Sequence, residues 1–318
     1  MLRIGAVNLD TSHPAAFARH FERGEKARYV AVFDDGFRSD AEVEVFVRRF
    51  GLQRRFSRLA GMVEAVDVGF IHACDWDRHL ELALPFLERG KPVFIDKPIS
   101  GNIRHCAELE ELSREGRVIL GSSSVRYAPE IAAFLAEPES SRGTVVHALG
   151  TGGMDEFNYG IHVVEGLGAL FSDTAAEAAR FVGSSPGAGG SYETSSIRFQ
   201  DSRTAVYSLL LGTWAPFRFT ILTTRGTYQL EIETRDLYSR MLDLVCESLT
   251  AGASMLAPVE KLTESVKIML AARLSRDDQS RGREEVSLAS IPMNDAGFDG
   301  RLFSREYARS VRPLDLDD

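Results

Sequence analysis

Val93-Phe94-Ile95-Asp96-Lys97-Pro98 decides the fold of this chain. Three apolar residues make a buried strand, and an acid, a lysine and a proline follow at its end. In an open α/β sheet, ligands bind outside the carboxyl ends of the strands. A lysine set there by a stiff Asp-Lys-Pro turn is a charge held at a binding crevice. The surrounding sequence supplies the rest of such a sheet. Residues 3–7, 29–33, 68–73, 93–95 and 118–120 read as strands. Residues 13–23, 41–50, 80–88 and 103–114 read as the helices between them, with a helical turn at 61–64. Ser12 is the expected cap of the first helix, Pro14 lies in its first turn and Gly24 ends it. Repeated β-α-β units with short connections imply a parallel sheet with right-handed crossovers.

After Gly121 the pattern changes. Residues 129–136 and 155–170 read as helices and 144–150 as a strand. A Gly/Ser-rich loop, 183–191, precedes strands at 192–199, 204–211, 217–223 and 227–233. Consecutive strands with tight turns predict an antiparallel sheet. Helices at 237–249 and 259–275 follow, and the tail from Asp277 is charged and then irregular. The expected fold class is α/β. A doubly wound, Rossmann-like parallel sheet occupies residues 1–121. An α+β domain with a large, mostly antiparallel open sheet, for substrate binding and oligomerisation, occupies 122–318.

Composition narrows the function. The 318 residues suggest about two domains, and 44% hydrophobic content suits an ordinary core. A net charge of −9 argues against a nucleic-acid partner. Cys74, Cys106 and Cys246 form neither a zinc spacing nor a disulfide framework, which suggests a reducing compartment. No signal peptide is visible, and no apolar run approaches the ~18 residues of a membrane span. The chain is expected to be cytoplasmic, with no membrane partner.

Several motifs stand in a telling order. Val66-Asp67-Val68-Gly69-Phe70-Ile71 precedes His79, and Asp96-Lys97-Pro98 follows. Arg126-Tyr127-Ala128-Pro129 opens the second half. Then come Gly160-Ile161-His162-Val163-Val164-Glu165, Arg225-Gly226-Thr227-Tyr228-Gln229-Leu230 and Pro258-Val259-Glu260. This series, over roughly residues 1–290, resembles the Gfo/Idh/MocA family of NAD(P)-dependent oxidoreductases. Asp96-Lys97-Pro98 is similar to its Glu-Lys-Pro signature, and the His162 segment to its Gly-x-His-x-x-Asp helix. The resemblance implies hydride transfer between a nicotinamide and the carbinol or carbonyl of a sugar-like, cyclitol-like or related small molecule. It implies Lys97 on substrate and nicotinamide, His162 as catalytic acid/base, and Arg126 and Tyr127 at the substrate. A histidine suits the hydroxyl proton, an ammonium stabilises the developing alkoxide, and the nicotinamide carries the hydride. A homo-oligomer, dimer or tetramer, through the C-terminal sheet is also implied.

The chain departs from that family at two places. The family's Gly-x-Gly-x-x-Gly loop is here Asn8-Leu9-Asp10-Thr11-Ser12-His13, with Asn8, Asp10 and His13 at the glycine positions. Asp10 would set an anion beside a phosphate. The loop still opens a helix whose amides favour phosphate, and Thr11 and Ser12 can donate. Asp34, ending the second strand, suits a ribose 2′-hydroxyl and so NAD over NADP. Asp34-Asp35-Gly36 reads equally as a plain turn. The second departure is Asn158, where the family often has an aspartate four residues before its histidine. On a helix Asn158 would share a face with His162, and Asp155 or Glu165 would supply charge. His162 alone reads rather as a core histidine on an amphipathic helix, and the resemblance tips it to function.

Strand order 3-2-1-4-5 would bring Asp10 and His13 opposite Asp75 and His79, with Asp96 one strand further on. These residues complete the expected cofactor set. His72, Asp75, Asp77 and His79 match no standard ligand spacing, so no metal is expected. Capping of the next helix by Asp75 and Asp77, with His79 packed in its first turn, is favoured, and direct binding of a polar substrate in place of the lost glycine loop is the remaining alternative. Ser122-Ser123-Ser124 reads as cleft donors or as a polar linker. Should the altered loop have lost the dinucleotide, the alternatives are a lyase, hydrolase or isomerase built on His13, His79, Lys97 and His162, or a ligand-binding regulator.

Overall fold

The computed structural model describes residues 1–187, 190–252, 255–278, 284–310, 314 and 316. Six strands form the first sheet: β1 (Leu2–Val7), β2 (Ala27–Phe33), β3 (Arg54–Phe56), β4 (Val68–Ile71), β5 (Val93–Ile95) and β6 (Ile119–Leu120). Their order is β3-β2-β1-β4-β5-β6, every pair parallel. β4 and β5 are buried along their whole length, as strands covered by helices on both faces must be. The ladder runs one residue past the strands: His72 N donates to Val7 O, and Asp96 N to Ile71 O. The loops after β1, β4 and β5 therefore leave the sheet side by side.

The second sheet contains β7 (Val145–Met154), β8 (Ala176–Gly187), β9 (Gly190–Phe199), β10 (Thr204–Leu211), β11 (Arg218–Thr223), β12 (Thr227–Glu231) and β13 (Val286–Ser287). Its order is β12-β11-β7-β10-β9-β8-β13. Only the β7–β10 pair is parallel. The helix Gly160–Leu170 lies directly on β7. A methyl at Gly150 or Gly152 would fall 2.7 or 2.8 Å from Val163, which is why glycine stands there.

Four features differ from the sequence reading. β3 is a short edge strand hidden by its two arginines. β8 begins in an alanine- and glutamate-rich stretch with weak strand preference, and antiparallel pairing with β9 makes it a strand. Its last residues fall in the expected loop 183–191, of which 188 and 189 lie outside the described residues. The catalytic-helix candidate begins at Gly160, not 155, because Asp155 Oδ1 accepts from Tyr159 N and closes a turn there. Finally, the tail carries a helix, Gly300–Ser310. Residues 279–283 of that tail lie outside the described residues.

The C-terminal half returns to the first sheet twice. The helix Ser239–Ala251 puts Met241, Leu242 and Val245 into one apolar cluster with Phe17, Phe70 and Phe94. The helix Gly300–Ser310 lies across the loops after β1, β2 and β4, with Phe303 against Trp76 and Tyr307 against Phe37. Among the described residues, no helix is long and apolar enough to cross a membrane.

Candidate active site

Lys97 stands at the carboxyl end of β5. Its backbone N donates to Asp96 Oδ1 at 2.8 Å. Its ammonium donates to Asn158 Oδ1 at 2.8 Å and Asn158 O at 3.1 Å, and lies 5.4 Å from the centre of the Tyr159 ring. Burial lowers its pKa from the ordinary lysine value, while Asp96 and Asp155 pull the other way.

Asp96 turns inward and joins two imidazoles. His13 Nδ1 lies 2.8 and 2.9 Å from its two oxygens, and His72 Nδ1 lies 2.9 Å from Oδ2. Tyr29 Oη is 2.8 Å from His72 Nε2. Burial opposes the Asp96 charge, but the charge and hydrogen bond of His13, then those of His72, hold the carboxyl well below its ordinary value. Burial depresses the pKa of His72. An ionised Asp96 needs N–H donors, which puts protons on both Nδ1 atoms and leaves His13 Nε2 unprotonated when the ring is neutral. The His13 ring is fixed by Phe17, at 5.7 Å, and Tyr238, at 5.0 Å.

His162 lies in the first turn of its helix, its ring buried. Burial and then the Lys97 charge push its pKa well below the ordinary histidine value, so it is neutral. Its Nδ1 is 2.7 Å from Ser123 Oγ. The expected pairing with Asn158 is corrected: Asn158 precedes the helix, so the four-residue face rule does not apply and its side chain goes to Lys97. Asp155 caps the same turn.

Other expected site residues serve the framework. Arg126 forms a buried ion pair with Glu165, which is thereby spent, and also donates to Ser265 Oγ at 3.3 Å. Tyr127 Oη donates to Gly121 O and accepts from Ala257 N. Neither lines the cavity: Arg126 ties elements of the second half to one another, and Tyr127 joins the end of the first half to the second. Asp75 Oδ1 accepts from Asp77 N, and His79 Nε2 donates to Ala73 O, so these two shape the loop after β4.

Thr11, Ser12, His13, Lys97, Asn158 and Tyr159 face one cavity of about 60 Å³. Phe303 and Tyr307 complete its wall. Sequence reasoning missed these two. Their spacing of four residues on a helix was the available signal, masked by the charged residues around them. It also missed Ser123 as the partner of His162. Among the described residues, no group of three His, Cys, Asp or Glu side chains is placed to hold a metal ion.

The altered loop after β1 is filled from within. Asn8 adopts a left-handed conformation, φ 64°, and its Oδ1 accepts from Asp35 N. Asp10 is buried; its carboxylate accepts from Cys74 N at 2.8 Å and Phe37 N at 3.3 Å. Burial raises its pKa from the ordinary carboxyl value. Arg38 donates to the carbonyls of Leu9 and Asp10. Asp34 accepts from Leu9 N, and burial, reinforced by the Asp10 charge, pushes its carboxyl up to about 6. Thr11 Oγ1 accepts from His13 N. A dinucleotide places its pyrophosphate at this loop and helix start. With the buried Asp10 carboxylate in this loop, and Tyr307 lining the same cavity as Thr11, Ser12 and His13, the residues present do not fit that group.

A six-stranded parallel sheet with its site at the carboxyl ends, followed by an open second sheet, defines an NAD-binding oxidoreductase fold. Residues 3–124 match the family described as "Oxidoreductase family, NAD-binding Rossmann fold"; this part of the chain is a Gfo/Idh/MocA domain. The structure is similar to a probable dehydrogenase from Thermotoga maritima, with a TM-score of 0.77 and 16% identity over 92% of this chain and 100% of that one. It is also similar to a myo-inositol dehydrogenase from Lactobacillus casei solved with NAD(H) and myo-inositol, with a TM-score of 0.75 and 14% identity over 94% and 98% of the two chains. A third likeness is a putative NADPH-dependent oxidoreductase from Desulfitobacterium hafniense, with a TM-score of 0.75 and 16% identity over 91% and 98%. Likenesses at such identities concern the fold. No curated protein matches the sequence.

Proposed function

We propose that the protein is an enzyme of this oxidoreductase fold that moves protons at the carbonyl or carbinol of a small hydroxylated molecule, in the manner of an isomerase or lyase. One observation carries the reading: the His13–Asp96 pair and the Lys97 ammonium line the same small cavity. His13 Nε2 takes a proton from the carbon next to a substrate carbonyl. Asp96 stabilises the imidazolium that results. Lys97 has three N–H donors, two of them engaged by Asn158, and the third stabilises the enolate oxygen. For isomerisation His13 returns the proton to the former carbonyl carbon, while the neighbouring hydroxyl passes its own proton to the enolate oxygen and becomes the new carbonyl; for elimination the proton goes to a β-hydroxyl, which departs as water.

The test is proton exchange in D2O, followed by NMR, across hydroxycarbonyl compounds from glycolaldehyde upward. The wild-type protein is expected to exchange a C–H of one of them, and His13→Asn to lose that exchange. A panel with no exchange at all overturns the reading.

A second reading is favoured by the family match. It is NAD-dependent oxidation or reduction of a sugar-like or cyclitol-like carbinol, with Lys97 and His162 at the substrate and Asp34 selecting NAD over NADP. It requires the crevice at Asp10 to open. Substrate-dependent NADH formation by the purified protein would establish it in place of the first.

A further inference from the structure

We propose that the helix Gly300–Ser310 is a resident occupant of the dinucleotide crevice, closing this chain to NAD(P) and leaving a site for a molecule of two to four carbons. The proposal rests on the acid–base reading only for the chemistry of that small molecule. Three observations support the closure.

The first is the position of the helix. It crosses the loops after β1, β2 and β4, which in an open sheet of this order border the ligand crevice. The Phe303 ring lies against Trp76, tilted by 34° with centres 4.8 Å apart, and the Tyr307 ring centre stands 6.3 Å from that of Phe37.

The second is how firmly it is seated. Gly300 N donates to Asp77 Oδ2 at 2.8 Å, Trp76 Nε1 to Phe298 O at 2.7 Å, and Phe298 N to Gly101 O at 2.9 Å. A methyl on Gly300 would lie 2.7 Å from Trp76 Cδ1 and 2.8 Å from Asp75 Oδ1. The Phe298 ring stacks at 4.1 Å on Phe157, so the approach to the helix is tied to the second half of the chain as well.

The third is charge. Asp10 and Asp34 sit at the crevice floor and Asp35 at its edge, while Arg78 is committed to Asp35 and Arg38 to Glu42 and the loop carbonyls. This is the wrong sign of field for a diphosphate, and the Asp10 carboxylate, held by Phe37 N and Cys74 N, keeps a buried acid at the loop where the diphosphate would lie.

The remaining space sets the ligand class. A cavity of about 60 Å³ takes about four to six non-hydrogen atoms at ~10–15 Å³ each. Drug-sized ligands occupy pockets of ~300–1,000 Å³, and a dinucleotide is no smaller. Lys97, His13, Ser12 and Asn158 offer hydrogen bonds to carbonyl and hydroxyl oxygens, which points to a short hydroxycarbonyl compound.

The test titrates the full-length protein with NADH and NADPH to millimolar concentration, by fluorescence and calorimetry, and follows amide hydrogen exchange of residues 300–310. Expected are no saturable binding and slow exchange along the helix. In a Trp214→Phe background, which leaves Trp76 as the reporter, Phe303→Asp should shift the emission to the red and speed exchange in the helix. Saturable NADH binding overturns the proposal, whether the helix stays protected or is released. Unchanged Trp76 emission in Phe303→Asp overturns it as well. The D2O experiment is separate: a protein that binds no dinucleotide and exchanges no C–H would sink the acid–base reading and leave the occupant standing.

Discussion

His13 shows what one residue's reading depends on. In the sequence it is the last position of a degraded glycine loop. In the structure it is a base whose orientation is set by Asp96, 83 residues away. Lys97 was legible because an apolar run, an acid and a proline define its place without reference to anything distant. The partner of His13 was not legible, since adjacency of β1, β4 and β5 brings two residues near without saying which way their side chains turn. The two residues predict different losses. Lys97→Ala should abolish turnover, with circular dichroism and cooperative unfolding kept; activity near wild type would remove Lys97 from the site. Asp96→Asn should weaken His13 as a base without emptying the cavity, lowering the rate ~10²–10⁴-fold, the usual worth of a positioned acid or base. Rates within a few-fold of wild type would separate His13 from the chemistry.

A third residue supplies a pH signature. Burial and the Asp10 charge push Asp34 up to about 6, from an ordinary value of 3.8. The folded protein therefore binds this proton more tightly than the unfolded chain. Stability contributed by that proton is present below about pH 4 and is lost as pH rises to about 6. An amide at this position keeps an acceptor for Leu9 N and removes the buried charge. Asp34→Asn should stabilise by ~1–2 kcal/mol near pH 8 and be close to neutral near pH 4. Urea unfolding at the two pH values reads the difference, and equal effects at both would show that Asp34 is not strained by its charge.

Among elements, helices and strands with regular apolar spacing were legible, and those built by distant partners were not. β8 is a strand because β9 supplies its hydrogen bonds. The helix Gly300–Ser310 hid behind its charged residues, although Phe303 and Tyr307 mark one face. The loop after β2 belongs to the same class: Asp34-Asp35-Gly36 looks like an ordinary turn, yet Gly36 is needed for a specific contact. A methyl on Gly36 would lie 2.0 Å from Asp10 Oδ1, closer than any real contact. Gly36→Ala should cost about 1–3 kcal/mol, as overpacked sites do. Asp10→Ala should itself destabilise, by stranding the amides of Cys74 and Phe37. The double variant should then cost less than the sum of the two, because the clash is gone once the carboxylate is gone. Strict additivity would mean that the two loops do not press on one another.

At the scale of the whole molecule, the strand order of the first sheet and the existence of a second, mostly antiparallel sheet were both readable from the order of the elements. What the order conceals is how completely the C-terminal half folds back. Leu242, fully buried, shares a cluster with Phe17, Phe70 and Phe94 of the first sheet. The buried ion pair of Arg126 with Glu165 joins the start of the second half to the helix carrying His162. A chain so cross-tied should unfold as one unit, although its length suggests two domains. Trp76 sits beneath the C-terminal helix, so its fluorescence reports the junction, while circular dichroism reports both sheets. The two melts should coincide in urea. Leu242→Ala, which opens a cavity on the first-sheet side of the junction, should lower both by the same ~2–5 kcal/mol. Two separated transitions, with Leu242→Ala moving only the first, would mean that each half folds alone and that the active site is assembled by docking.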